Sequence, residues 1–244
     1  MKICEGLWLI GSGNVGLSDP CDCNVYLVDA GDEYVLIDAG VGPGVECICS
    51  NLRKDGIDPA RISTLLITHH HSDHAGAAAA WKRAYGLRVY APLHEAASIE
   101  MGDEKVLGLD IARRAGYYPA DYRFMPCEVD VRVEVGQRIV VGNRTFTAFD
   151  GAGHSLGGLC YLCEIDGKQA LFVGDMLAAG GRVSLQNIPG ISIERYSASV
   201  LALENVPVDM FLPGHGLFCI SGGSAHVRKA AEAFRQLGVP PNAV

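Results

Sequence analysis

The 244-residue chain has no run of about 18 apolar residues, the length that a membrane-spanning helix needs. Its start, MKICEGLWLIGSG, has one lysine and no long apolar stretch, so a secretory signal is not expected. Basic residues are few, since 20 Lys and Arg against 28 Asp and Glu leave a formal net charge of −8 without a basic stripe. These absences argue against membrane and nucleic-acid partners. We therefore expect a cytoplasmic protein that acts on a small molecule.

Internal repeats and low-complexity segments are also absent, and the length suits one large domain over residues 1–244. Short apolar runs such as YVLIDAG and STLLIT alternate with helical patterns such as DHAGAAAAWKRAYG, which predicts an α/β fold. The same alternation returns after residue 126 with RTFTAFD, LCYLCEI and QALFVGD. Between the two halves, residues 94–126 predict a helical insertion of two short helices, broken near Gly102 and stopped before Pro119. The last five residues, PPNAV, are expected to fray.

Nine cysteines cannot all pair within one chain because their number is odd. Two C-x-C pairs and one C-x-x-C, Cys160 with Cys163, allow a second metal site or a redox pair. However, Cys160 and Cys163 lie in a predicted strand, where residues three apart face opposite sides. We therefore favour the interpretation of the cysteines as small buried apolar residues.

Half of the eight histidines lie within six residues, in THHHSDHAG, directly after the predicted strand STLLIT. His69 and His71 are two residues apart and project to one side of an extended loop, and Asp73 and His74 follow where a helix begins. Imidazole and carboxylate together suit zinc, iron or manganese. Because these donors are too many for one tetrahedral ion with a free position, two ions are indicated.

Three further candidates stand at predicted strand ends beside glycine: His154 in GAGHSLGG, Asp175 in LFVGD and His215 in LPGHG. Glycine lets the backbone bend tightly there, so we expect these side chains to converge on the histidine cluster. His94 and His226 lack this placement, and we interpret them as structural residues.

The motifs HHHSDH, GHS, GD and PGHG, with the early LIDAG, resemble the metallo-β-lactamase superfamily in type and order. The resemblance covers nearly the whole chain and implies a four-layer αββα sandwich of two mixed sheets between helices. It implies that His69, His71 and His154 bind one metal, that Asp73, His74 and His215 bind a second, and that Asp175 bridges both. His70 stands at the variable position of the motif and is not counted as a ligand. Asp38, in LIDAG, either supports the ligand loop by hydrogen bonds or is simply a strand-ending turn residue.

Two divalent ions, with zinc expected before iron or manganese, can hold a hydroxide between them and make it a nucleophile near neutral pH. The resemblance therefore predicts a hydrolase without a serine or cysteine nucleophile. Asp73 is the candidate catalytic residue, since it can assist proton movement to the leaving group.

The substrate stays open at this level. Asp175 argues against a true β-lactamase, because the antibiotic-degrading members lack that aspartate. GDMLAAGGR resembles the glyoxalase II branch, which cleaves glutathione thioesters, but the longer basic carboxyl-terminal part of that branch is missing. HEAAS followed by helices resembles the acyl-homoserine lactonase branch, but Ala178 replaces its tyrosine. A thioester or lactone of a small acyl substrate is therefore expected, with a persulfide dioxygenase using a single iron as the alternative and a homodimer left open.

The insertion carries more apolar residues than one helix face needs, among them Val106, Leu107, Leu109, Ile111 and Ala112. The excess is explained either by burial on two sides or by a substrate pocket. Our hypothesis is that this segment covers the metals with an apolar wall, with Tyr117 or Tyr118 near the rim as substrate-binding residues.

Overall fold

Two mixed β-sheets organise the chain in the computed structural model, which describes residues 1–243. The larger sheet contains, in spatial order, β1 (Lys2–Cys4), β2 (Leu7–Gly11), β3 (Val25–Asp29), β4 (Tyr34–Ile37), β5 (Ile62–Leu66), β6 (Arg88–Pro92) and β7 (Val131–Val133). The smaller sheet contains β8 (Arg138–Val141), β9 (Arg144–Asp150), β10 (Leu159–Ile165), β11 (Lys168–Gly174) and β12 (Met210–Pro213), also in spatial order.

Helices cover the outer faces of both sheets. They are α1 (Val45–Lys54), α2 (Ser72–Ala75), α3 (Ala78–Tyr85), α4 (Ala96–Met101), α5 (Leu109–Arg114), α6 (Ile193–Leu203) and α7 (Ser224–Arg235), with a short 3-10 turn at Pro59–Arg61. None of these helices within residues 1–243 is both long and apolar enough to cross a lipid bilayer. The two helices α4 and α5 lie within residues 94–126, and Gly102 ends α4 in the left-handed conformation that glycine favours.

Three apolar clusters show how these elements form layers. On the outer face of the larger sheet, Leu52 of α1 and Trp81 of α3 are fully buried. Between the sheets, Tyr26 of β3 and Phe172 of β11 have ring centroids 5.5 Å apart. On the outer face of the smaller sheet, Tyr196 of α6 is fully buried. The order helix, sheet, sheet, helix confirms the predicted αββα sandwich.

Strand direction brings the candidate residues to one edge. The strands β4, β5 and β6 are parallel, so the loops that begin at Asp38 and His69 leave the same end of the larger sheet. In the smaller sheet β11 and β12 are parallel, and β9 has the same direction because β10 is antiparallel to both β9 and β11. The loops that carry His154, Asp175 and His215 therefore also share one edge.

The carboxyl-terminal segment does not fray as predicted. The Val183 amide donates to the carbonyl of Pro241 at 3.0 Å, and the Ala243 amide donates to the carbonyl of Val183 at 2.7 Å. The Leu185 amide also donates to Oδ1 of Asn242 at 2.9 Å. The prediction was wrong for residues 240–243 because these hydrogen bonds tie the segment to a distant loop, which composition does not reveal. Val244 lies outside the described residues.

Candidate metal centre

Seven side chains at the shared edge form two groups of potential metal ligands. One nitrogen each of His69, His71 and His154 lies within 4.8 Å of the others. A second group, with donor atoms within the same distance of one another, consists of Asp73, His74, Asp175 and His215. The structure thus brings together all seven residues that the motifs singled out.

Hydrogen bonds orient the imidazoles of the three-histidine group. Nδ1 of His154 donates to the carbonyl of Ser184 at 2.8 Å, which leaves Nε2 with a free lone pair. That Nε2 lies 3.0 Å from Nδ1 of His71. Nδ1 of His69 lies 3.1 Å from the hydroxyl of Thr68. A metal-binding histidine usually bonds through its other ring nitrogen to a neighbouring group that fixes the tautomer.

Asp175 lies between the two groups. Its Oδ2 is 3.5 Å from Nε2 of His154 and 3.4 Å from Nε2 of His215. Its Oδ1 is 3.3 Å from Nε2 of His74. One carboxylate therefore faces ligands of both groups, which is the placement required for a bridge.

Asp38 supports the second group from behind. Nδ1 of His74 donates to Oδ2 of Asp38 at 2.8 Å, so Nε2 of His74 faces the other carboxylates. Oδ1 of Asp38 accepts the backbone amide of Thr68 at 2.7 Å. Asp38 adopts a φ of 59°, an uncommon value for a residue other than glycine. The geometry matches the predicted role as a supporting partner and also the turn position.

The unpaired atoms of the cluster test whether metal ions fit. Nε2 of His69 is buried without a hydrogen-bond partner, and Nε2 of His74 and Oδ1 of Asp175 are buried 3.3 Å apart without forming a hydrogen bond. Nε2 of His71 is buried and unpaired as well. A buried polar atom without a partner costs about 1–3 kcal/mol, and this cluster concentrates several of them in one place. Nitrogen and carboxylate donors of this kind fit divalent ions such as zinc.

The protonation states of two imidazoles and two carboxylates suit ligation, whereas neighbouring acidic groups raise the pKa of His74 and of His215, whose protons a metal would displace. Burial lowers the pKa of His69 and of His71 well below the usual range, so both imidazoles are neutral. Burial alone would raise the pKa of Asp73 and of Asp175, but the neighbouring imidazoles of His74 and His215 hold both pKa values below the usual range. Neutral imidazole and ionised carboxylate are the forms that bind metals.

The other histidines lie outside the two groups. Nδ1 of His70 bonds to the hydroxyl of Ser98 at 2.8 Å. His94 is exposed. Nδ1 of His226 accepts the amide of Gly180 at 2.8 Å, and its Nε2 lies 3.3 Å from Sγ of Cys219. His226 has the hydrogen bonds of a structural residue, and His70 lies outside both donor groups, with its Nε2 buried and without a hydrogen-bond partner.

All nine cysteines are free thiols. Cys160 packs in the outer cluster of the smaller sheet and Cys163 in the cluster between the sheets, which agrees with their predicted opposite orientation. Sequence reasoning did not anticipate Cys23, whose buried thiol lies within 4.8 Å of donor atoms of Asp38 and His74. This group is not independent of the centre, since Asp38 already binds His74.

A cavity of about 730 Å³ opens onto the two donor groups. Its lining includes His71, Asp73, His154, Asp175 and His215. The insertion contributes Leu107, Leu109, Ile111, Ala112 and Ala115. A volume of this size is within the usual range of about 300–1,000 Å³ for small-molecule sites.

The two candidate tyrosines differ in position, although both line the cavity. Tyr117 is 61% exposed, at the rim. Tyr118 reaches further in, where its hydroxyl donates to Oδ1 of Asp73 at 3.0 Å. Burial, followed by the charge of Asp73, raises the pKa of Tyr118 well above the usual range, so the hydroxyl stays protonated.

Sequence reasoning missed two parts of the site. Asp22 lines the cavity and accepts the Val41 amide at 2.7 Å, and its only local signal is a polar turn, SDPCDCN. The loop after β11 supplies another wall through Leu185, Gln186 and Ile188. This loop has no hydrophobic periodicity, so nothing in its sequence predicts that it lines the same cavity as α5.

Comparison with known proteins places these features in a family. The profile of the metallo-beta-lactamase superfamily matches residues 18–215. A curated relative, an atrochrysone carboxyl ACP thioesterase of Aspergillus fumigatus, is 26% identical over 84% of this chain and 54% of its own length. A hydroxyacylglutathione hydrolase of Rhodopseudomonas palustris is 31% identical over 74% of this chain and 54% of its own length. The chain thus spans about half the length of these relatives.

Solved structures show the same fold. A motif mutant of a metallo-beta-lactamase from Cronobacter sakazakii superposes with a TM-score of 0.75 at 25% identity, over 97% of this chain and 95% of that chain. A subclass B3 metallo-beta-lactamase of Bradyrhizobium japonicum has a TM-score of 0.72 at 20% identity, over 97% and 92% of the two chains, a likeness of fold alone. With the profile match over most of its length, the αββα sandwich and the His/Asp cluster at one edge, this chain belongs to the metallo-beta-lactamase superfamily.

Proposed function

We propose that this protein is a binuclear metal-dependent hydrolase that cleaves a thioester with an apolar acyl group. The observation that carries the proposal is the pair of donor groups that meet at Asp175, with several buried ligand atoms left unpaired by the protein itself. Zinc is the expected metal, because neutral imidazoles and carboxylates in a compact site suit it.

The ligand assignment follows the two groups. His69, His71 and His154 would hold one ion, while Asp73, His74 and His215 would hold the other. Asp175 would contact both, since it faces imidazoles of each group at 3.3–3.5 Å. When bound, the metals would lower the pKa of water towards neutrality and so supply a hydroxide nucleophile.

Asp73 is the residue best placed to move a proton towards the leaving group. Its Oδ1 accepts the hydroxyl of Tyr118, and its Oδ2 lies 2.9 Å from Nε2 of His215. Both partners line the cavity with Asp73, so the carboxylate is held in one orientation at the place where substrate would lie. Tyr118 would orient Asp73 and would also contact bound substrate. Tyr117 would contact substrate at the rim of the cavity.

The cavity wall supports an acyl substrate. Ile111 and Ala112 of α5 are half-buried and face the same cavity as the candidate ligands. Apolar side chains favour an acyl chain over a phosphodiester, which is charged and would be desolvated there. The names of the curated relatives, a thioesterase and a hydroxyacylglutathione hydrolase, favour a thioester over a lactone.

The test is elemental analysis of the purified protein beside a panel of substrates. The panel contains short- and long-chain acyl thioesters, a long-chain acyl lactone, a phosphodiester and a chromogenic β-lactam. We expect two zinc-like ions per chain and fastest turnover of the long-chain thioester. A single redox-active iron with oxygen consumption on a persulfide, or fastest turnover of the β-lactam, would replace this proposal.

A further inference from the structure

A buried carboxylate lies behind the three-histidine group and outside the ligand sets. Glu95 follows β6, in the turn that leads into α4, and its exposure is 0%. Within residues 1–243 it forms no ion pair with lysine, arginine or histidine. Because burying a charge without an ionic partner is unfavourable, its hydrogen bonds must account for its stability.

Those hydrogen bonds join two separate loops. Oε2 of Glu95 accepts the backbone amide of His70 at 2.7 Å, in the loop between the candidate ligands His69 and His71. Oε1 accepts the backbone amide of Gly157 at 2.7 Å, in the loop that carries His154. Charge-assisted hydrogen bonds of this length are the strong ones.

The approach of the second loop depends on glycine. A Cβ placed on Gly157 would lie 2.7 Å from Cβ of His94, the residue before Glu95. The loop can therefore come close enough to bond Glu95 only because position 157 has no side chain. A neighbouring hydrogen bond, from the Leu159 amide to the carbonyl of Thr68 at 2.8 Å, joins the end of β5 to the start of β10. It does not hold the ligand loops themselves.

We infer that Glu95 is a positioning residue for the metal centre, which fixes the distance between the loop of His69 and His71 and the loop of His154. This inference rests on the proposed function, because it assigns these three histidines to one metal. A carboxylate is suited to the task, since each oxygen can accept one amide, and its buried negative charge also favours a cation nearby. The second group of ligands does not depend on the Gly157 loop, so the effect should concentrate on one of two ions.

The test uses Glu95→Gln, which keeps the volume but can accept only one of the two amides and turns an NH₂ group towards the other. Asp130→Asn is the matched control, because Asp130 accepts the Val89 amide at 2.7 Å near the opposite end of β6, away from the ligands. Metal-free protein is titrated with cobalt(II), and the visible absorption of the bound ion is recorded together with the melting temperature. We expect one of two cobalt sites in Glu95→Gln to weaken about 10- to 100-fold, the range for lost outer partners of metal ligands, with the other site unchanged. In Asp130→Asn both sites should match the wild type.

Each outcome decides the inference. Equal cobalt affinities and spectra in Glu95→Gln and the wild type would overturn the role of Glu95 and leave the proposed function intact. Failure of the wild type to bind cobalt would overturn the proposed metal centre and the inference with it. If Glu95→Gln does not fold, hydrogen exchange of the wild type is measured instead. Slow exchange at the amides of His70 and Gly157 would support the positioning role of Glu95, and fast exchange at either amide would overturn it.

Discussion

At the scale of single residues, the centre depends on carboxylates with at least two partners each. Asp175 faces both donor groups, Asp73 lies between Tyr118 and His215, and Asp38 joins Thr68 to His74. In each of these carboxylates, the two oxygens contact different groups. An amide in place of any of these carboxylates therefore removes a charge and one acceptor together.

The first prediction concerns Asp175→Asn. Loss of outer partners of metal ligands costs about 10- to 100-fold in affinity or activity, so loss of a bridging ligand should lower kcat/KM by more than about 100-fold. Metal content should fall from two ions to one or fewer, as measured by elemental analysis. His70→Ala is the control: it should keep both ions and lose about 1–3 kcal/mol of stability through its bond to Ser98. Full metal content and activity in Asp175→Asn would refute the bridging role.

The second prediction separates the two adjacent tyrosines. Tyr118→Phe removes a hydrogen bond to the Asp73 carboxylate and should lower kcat about 10- to 100-fold, since such a bond contributes about 1.5–3 kcal/mol. Tyr117→Phe should leave kcat within about 2-fold, because Tyr117 is 61% exposed. Steady-state kinetics with one thioester measures both, and equal kcat values would show that Tyr118 does not orient Asp73.

At the scale of elements, α5 and the turn before it serve two purposes that the sequence left as alternatives. Leu107 and Leu109 are buried in the cluster on the outer face of the larger sheet and also line the cavity. Ile111 and Ala112 are half-buried and line the cavity, whereas Val106 is 39% exposed and lies outside the lining residues. The apolar excess of the insertion is thus explained by both the core and the cavity.

The third prediction follows from that division. Ile111→Asn should lower kcat/KM for a long-chain acyl thioester about 10- to 100-fold, because burying such a side chain against substrate contributes about 1.5–3 kcal/mol. An acetyl thioester should change less than about 2-fold, since it does not reach α5. Val106→Asn, on the same segment but outside the cavity, should leave both substrates unchanged. A parallel loss for both substrates in Ile111→Asn would mean that α5 contributes stability and not specificity.

At the scale of the whole molecule, metal binding links the two sheets, because each donor group combines a loop from the larger sheet with loops from the smaller one. Ligand loops that leave opposite sheets would be drawn together by an ion bound between them. Removal of metal should therefore lower the melting temperature of the entire domain and not only loosen one loop.

The fourth prediction is the pH dependence of metal affinity. Burial alone would lower the pKa of His215, but the carboxylates of Asp175 and Asp73 outweigh it and raise the pKa above the usual value of about 6.5. A group with a raised pKa keeps its proton to higher pH, and a metal must displace that proton. Affinity should therefore weaken as pH falls, and the fall should begin above about pH 6.5, as measured by cobalt titration at pH 5.5–8. His69 and His71, whose pKa values are lowered by burial, should add to the loss only at lower pH.

The His94→Ala variant is the control for that titration, because His94 is exposed and lies outside both donor groups. Its pH profile should superpose on that of the wild type. A metal affinity that stays constant between pH 5.5 and 8 would contradict the assignment of His215 as a ligand.

The sequence by itself determined the α/β alternation and the identity of the seven converging residues, and its resemblance to the superfamily implied the sandwich. Strand and helix periodicities are local, and short motifs such as HHHSDH place donors by spacing within a few residues, so both are visible without coordinates. Only the tertiary structure decided which groups surround those residues. Tyr118 meets Asp73 across 45 positions of sequence and Glu95 meets Gly157 across 62, while residues 241–243 pair with the loop near Val183. Such contacts form because the packed layers bring loops together that are far apart in the sequence. Local residue propensities do not encode which distant loops will meet.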